Sequence, residues 1–168
     1  SSVIPASLCR DAETPPARQA VRLSLVLPAG LTVAPSGAPI AVSHDGSLVA
    51  VAACRDSGCG IYLRPLSQAE PTLVAGTGGG AAPFFSPDDR SLGYFAGGRL
   101  HTIALGGGSP ATIADAPDPR GAVWLRNGRL VFARSPAEGL FIVDADGQNV
   151  QPLTTPRDGE GGHSWPSA

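Results

Sequence analysis

Apolar positions in this chain fall in short runs bounded by turn-forming clusters, without the three- and four-residue spacing of an amphipathic helix. Between Pro83 and Asp115, "PFF", "LGYFA", "RLHTIAL" and "ATIAD" are separated by "SPDDR", "GG" and "GGGS". Runs of that length, bounded by Gly, Pro, Asp and Ser, read as strands. Their in-out alternation is imperfect, as in strands buried on both faces between stacked sheets. The pattern predicts a four-stranded antiparallel unit: apolar strand, polar turn, second strand, hairpin, third strand, short turn, fourth strand.

The unit repeats. "PIAVSHDGSLVAVAA" (Pro39 to Ala53) aligns with "PFFSPDDRSLGYFA" (Pro83 to Ala96), and the latter with "AVWLRNGRLVFAR" (Ala122 to Arg134). The steps are 43 residues from Ser43 to Ser86 and 39 from Ser86 to Leu125. A period near 40 residues is that of a blade-forming repeat. The repeats span about 38–77, 82–116 and 121–155, with the start of another at 163–168 in "HSWPSA". Upstream, "AVRLSLVLPAG" (Ala20 to Gly30) reads as one strong strand, and the polar, proline-bearing residues 1–19 read as a linker or extended segment. Composition agrees: 22 Gly and 17 Pro with only 15% charged residues disfavour long helices and favour short strands joined by turns. The fold class expected is all-β.

These repeats resemble TolB-like and WD-repeat-like β-propellers, whose blades carry a Ser-Pro-Asp-Gly turn followed by an apolar strand. The likeness covers roughly Val21 to Ala168. It extends to the carboxy-terminal propellers of bacterial receptor-type serine/threonine kinases, through "VRLSLVLPAG", "IYLRPL" and "LFIVDADG". Every turn departs from the family pattern. "SHDG" lacks Pro, "SPDD" has Asp89 in place of Gly, and "LRNG" has Leu125 and Asn127 in place of Ser and Asp. The resemblance implies a partial, open β-propeller of about three and a half blades. Closure normally takes four to eight, so exposed sheet edges and an open apolar flank are expected. Either the missing blades, a second chain or a partner would cover them.

A formal charge of −2 gives no electrostatic footprint for nucleic acid or an anionic membrane surface. All twelve cations are arginine, which reads as codon bias rather than phosphate recognition. There is no methionine and no secretory signal pattern or long apolar run, so the chain reads as a processed or excised piece, with no membrane insertion by this segment. Cys54 and Cys59, in "ACRDSGCG", fall at a hairpin tip where facing strands bring Cβ atoms within disulfide range. They are a disulfide candidate, with reduced buried thiols as the alternative, and a poor zinc signature. A bridge there would place the domain outside the cytosol, in the periplasm or extracellular space. Cys9 has no nearby partner and is either free or paired with another chain.

Candidate chemistry is sparse. Ser43, Asp45, Gly46, Ser86, Asp88, Asn127 and Gly128 recur at one turn position, where Asp or Asn accepts backbone N–H bonds. Their expected role is structural, and the adjacent Asp88 and Asp89 make no general acid/base pair. "DADGQN" (Asp144 to Asn149) lacks the ligand count of a calcium loop and reads as a hairpin on Asp146-Gly147. "GTGGGAAP" leads into a strand, so it offers no helix N-terminus to phosphate. No G-x-S-x-G elbow occurs, and His44, His101 and His163 sit in different repeats. No catalytic residue, metal ligand or cofactor site is therefore assigned. Trp124 and Trp165 fall in first strands, as core packing or, with Phe84, Arg126 and His163, as lining of a channel-mouth surface for a peptide or glycan. The function this supports is a non-catalytic extracytoplasmic interaction or sensor module. Alternatives are the gating propeller of a prolyl-oligopeptidase-like serine peptidase and a structural subunit of a larger envelope or membrane assembly.

Overall fold

The computed structural model describes residues 26–35, 37–157, 162–164 and 166. They form thirteen β-strands and no helix. The first sheet contains β1 (Thr32–Val33), β2 (Ile40–Val42), β3 (Leu48–Arg55), β4 (Gly58–Pro65) and β5 (Thr72–Leu73). The second runs through β6 (Ala81–Phe85), β7 (Ser91–Ala96), β8 (Arg99–Ala104) and β9 (Ala111–Asp115), and the third through β10 (Ala122–Trp124), β11 (Arg129–Ala133), β12 (Leu140–Asp144) and β13 (Gln151–Pro152). Within the second and third sheets, neighbours in sequence are antiparallel neighbours in space.

The first sheet has one irregularity that its hydrophobic pattern did not announce. Both β1 and β2 pair with the same edge of β3, Thr32 opposite Cys54 and Ile40 opposite Val51. Ala52 joins the pieces, accepting from Ala34 N–H at 2.8 Å and donating to Pro39 carbonyl at 2.7 Å. The inner strand is thus one strand interrupted near Pro35 and Pro39, whose missing N–H groups cannot extend a ladder. The strong strand expected over Ala20 to Gly30 is irregular and ends in a turn in its described part, residues 26–30; the rest lies outside the described residues. Residues 1–19 lie outside them as well.

The three sheets stack face to face in chain order. Ala50, Ala52 and Ile61 of the first meet Phe85, Leu92, Tyr94 and Ile103 of the second. On the other face of the second sheet, Phe95, Leu100 and Ile113 meet Leu130, Phe132 and Val143 of the third. The inner strand β6 touches both β2 and β10, so the sheets fan about a common axis. Among the described residues the stack is open at both ends. On the first sheet's outer face, Val49, Val51, Ala53 and Tyr62 are covered by Leu27, Leu31 and Leu66, whereas Val33, Ile40 and Val42 remain 42–55% exposed.

Threonine hydroxyls set two of the blade endings. Where β5 leaves β4, Ile61 N–H donates to Thr77 Oγ1 at 3.0 Å, and that hydroxyl donates to Val74 carbonyl at 2.7 Å. After β13, Thr154 Oγ1 likewise accepts from Leu140 N–H at 2.8 Å. The chain then crosses the β11–β12 loop, with Gly162 N–H donating to Pro136 carbonyl and His163 N–H to Glu138 carbonyl, each at 3.0 Å. Gly79 N–H makes the matching contact to Cys59 carbonyl at 2.8 Å between the first and second sheets.

Candidate functional site

The corners between first and second strands are built from the repeated turn. Ser43 Oγ donates to Asp45 Oδ1 at 2.7 Å and accepts from Leu48 N–H at 2.9 Å; Ser86 Oγ does the same with Asp88 Oδ1 at 2.6 Å and Ser91 N–H at 2.9 Å. Both serines are buried. Hydrogen bonds from Ser43, and then from Ser47, hold the Asp45 carboxyl below its ordinary range, and those from Ser86 and Arg90 N–H do so for Asp88. The third corner is one residue shorter: Leu125 N–H donates to Arg129 carbonyl, whereas Ser43 and Ser86 reach five residues ahead. No sixth residue needs a hydroxyl acceptor there, which accounts for Leu125. Asn127 Oδ1 alone accepts, from Arg129 N–H at 3.1 Å.

The fourth position of each corner requires positive φ: +72° at Gly46, +83° at Gly128 and +57° at Asp89. Asp89 therefore holds a conformation that suits Gly better, at a cost of about 1 kcal/mol. Its carboxylate reaches across to the preceding blade. Oδ1 accepts from His44 N–H and lies 2.8 Å from His44 Nδ1, and Oδ2 accepts from Asp45 N–H at 3.0 Å. The Asp89 side chain is 13% exposed and His44 54%. Burial pushes the Asp89 pKa up, but the bonds from His44 and Asp45 outweigh it and the net shift is downward. This clamp, spanning 45 residues of sequence, joins the first and second sheets at their inner corners.

Beside it the three corners enclose a cavity of about 250 Å³ lined by His44, Pro87, Val123, Trp124 and Arg126. A second depression of about 320 Å³ shares Pro87, Trp124 and Arg126 and continues over Asp88 and Gly128. Trp124 is held edge-on by Phe84, with ring centroids 6.5 Å apart. Phe84 can lie there because its cross-strand partner is Gly93, where a Cβ would overlap the ring. Arg126 is exposed. The other described arginines near carboxylates, Arg99, Arg120, Arg129 and Arg134, are ion-paired, and Arg126 has no such partner among the described residues.

The proposed surface residues are thus divided. Trp124 and Arg126 line the cavity and Phe84 braces Trp124. His163 lies at the opposite end of the third sheet, its Nδ1 2.6 Å from Thr154 Oγ1, because residues 162–163 cross the β11–β12 loop instead of reaching the corners. Trp165 lies outside the described residues. His44 and Pro87 belong to the site although the sequence reading did not place them there. The one signal was Asp89, an acidic residue where the turn asks for Gly. His101 is elsewhere again, stacked on Tyr94 at 5.4 Å.

Two other predicted features are present. Cys54 and Cys59 face each other across β3 and β4 and are joined by a disulfide. Asp144 to Asn149 forms a turn in which Gly147 N–H donates to Asp144 carbonyl at 2.9 Å and Gln148 N–H to Asp146 Oδ1 at 2.9 Å. Among the described residues no helix is long and apolar enough to cross a membrane.

Solved structures of like shape include proteins of β-propeller architecture. A putative TolB from Agrobacterium tumefaciens superposes with a TM-score of 0.60 at 20% identity, over 68% of this chain and 45% of that one. The β-propeller domain of the trilobed protease from Pyrococcus furiosus, described as having an open velcro topology, superposes with 0.53 at 18% identity, over 69% and 42%. The fold is that of a β-propeller. A chain from a nidogen/laminin complex agrees, with a TM-score of 0.58 at 18% identity over 73% of this chain and 50% of its own. This propeller chain therefore spans about half the length of the solved structures it matches, consistent with an open stack of four-stranded blades. No protein-family model and no curated protein matches its sequence.

Proposed function

We propose that this propeller segment is a non-catalytic recognition module that binds a protein partner, through a peptide or glycan element, at the mouth formed by its blade corners. The observation that carries the reading is the cavity around His44, Pro87, Trp124 and Arg126. An aromatic wall and a guanidinium with no carboxylate partner among the described residues, on turns fixed by the sheet stack, are what loop-borne recognition sites are made of. Location outside the cytosol is part of the proposal, supported by the Cys54–Cys59 bridge. The exposed Val33, Ile40 and Val42 support a second contact, with remaining blades packing on the first sheet's outer face.

Selection of a random peptide display library on the immobilised chain tests the recognition site. Enriched peptides are expected to lose binding about ten-fold or more on Trp124→Ala or Arg126→Ala, the loss typical of a hot-spot residue. No enrichment, or enriched peptides indifferent to both changes, refutes the reading. A gating propeller of a serine peptidase is the second reading, favoured by the shared fold of the trilobed protease domain. A G-x-S-x-G hydrolase domain in the same polypeptide would decide for it.

A further inference from the structure

We propose that the cavity at the blade corners is a carboxylate site, taking an aspartate or glutamate side chain or a free C-terminus of the partner; this rests on the recognition reading above. Its two polar walls are Arg126 and His44. Arg126 presents an exposed guanidinium with no described carboxylate partner, and a guanidinium pairs with a carboxylate through parallel N–H bonds. His44 Nδ1 is committed to Asp89 at 2.8 Å, which leaves Nε2 as the ring's uncommitted nitrogen.

The acidic side chains nearby do not occupy this role. Asp45 is committed to Ser43 and Ser47, Asp88 to Ser86 and Arg90 N–H, and Asp89 to His44 and Asp45 N–H. Each carboxylate is turned to its own corner or to the neighbouring one, and the guanidinium is left over. The cavity's 250 Å³ has room for a carboxyl group and a short stem. Trp124 and Pro87 supply apolar walls for the stem's methylenes. Specificity for the charged group over its amide then follows, because the amide loses the charge-assisted bonds and turns an N–H donor toward the Arg126 guanidinium.

The full chain, titrated by NMR with three acetylated peptides, tests this: Ac-Gly-Asp-Gly-NH2, Ac-Gly-Asn-Gly-NH2 and Ac-Gly-Gly-Gly-OH. At least one acid-bearing peptide is expected to bind about ten-fold tighter than the Asn peptide, with the His44 ring signals moving on binding. The arm that binds tells a side-chain carboxylate from a terminal one. Arg126→Gln is expected to remove that ten-fold preference, and Arg126→Lys to restore part of it. Equal affinity for Asp and Asn, no binding of any peptide up to about 10 mM, or a preference unmoved by Arg126→Gln overturns the carboxylate assignment. Neutral display-selected peptides that still depend on Trp124 would overturn it too, while leaving the recognition reading intact.

Discussion

Replacing Asp89 by Gly sets two effects of opposite sign against each other. Gly suits a φ of +57° and recovers about 1 kcal/mol of backbone strain. It also removes every bond of the inter-blade clamp: two from backbone N–H groups of His44 and Asp45 and the contact with His44 Nδ1. Each charge-assisted bond contributes about 1 kcal/mol net when its donor can turn to water instead, as exposed His44 and Asp45 allow. Roughly 3 kcal/mol lost against 1 gained leaves the Gly variant about 2 kcal/mol less stable. For a chain of this size that lowers Tm by about 4–8 °C. Asp89→Asn, which keeps the left-handed preference and one acceptor oxygen, is expected to lose about half as much. Urea unfolding gives the free energies, and a double-mutant cycle of Asp89→Asn with His44→Ala should show coupling near 1 kcal/mol. A Gly variant as stable as the parent, or more stable, would show that the carboxylate does not clamp the blades, and zero coupling would detach His44 from it.

Three further outcomes follow from the same contacts. Neither Cys54 nor Cys59 should be alkylated before reduction, and reduction should lower stability by about 2 kcal/mol, the chain-entropy value for so short a loop; quantitative labelling of both without reductant rules the bridge out. Gly93→Ala drives a Cβ into the Phe84 ring. It should cost about 1–3 kcal/mol and shift Trp124 emission, while unchanged emission would contradict the bracing of Trp124 by Phe84. Asp45, Asp88 and Asp89 have folded-state pKa values below their unfolded ones. Their contribution is therefore fully present above the ordinary carboxylate range and lost as pH falls through the lowered values. The urea midpoint should drop between about pH 5 and pH 2, less steeply in Asp88→Asn, and an unchanged slope would refute the assignment.

Local chemistry was legible in the chain wherever a turn closes on itself. Ser43, Asp45, Ser86 and Asp88 announce their corners because acceptor and donor lie within five residues. The cysteine pair was legible for the same reason, facing each other across a hairpin. What spans blades was not. Asp89 reads as a flaw in a turn until His44 is seen beside it, and no local pattern connects them. The split of the inner strand around Pro35 and Pro39 was hidden because β1 and β2 share one partner strand. His163 looked like a mouth residue by repeat alignment, but the crossing at Pro136 and Glu138 carries it to the other rim.

The threonine seam has an evolutionary consequence. Thr77 places a hydroxyl between Ile61 N–H and Val74 carbonyl where the outer strand departs, and Thr154 accepts from Leu140 N–H at the matching place two blades later. Each hydroxyl satisfies its own sheet from the connecting segment without borrowing a backbone group from the next sheet. Gene segments of about 40 residues can then be duplicated or deleted at this joint without orphaning Ile61 or Leu140 N–H in the blade left behind, so blade number can change while each blade's outer edge keeps its internal design.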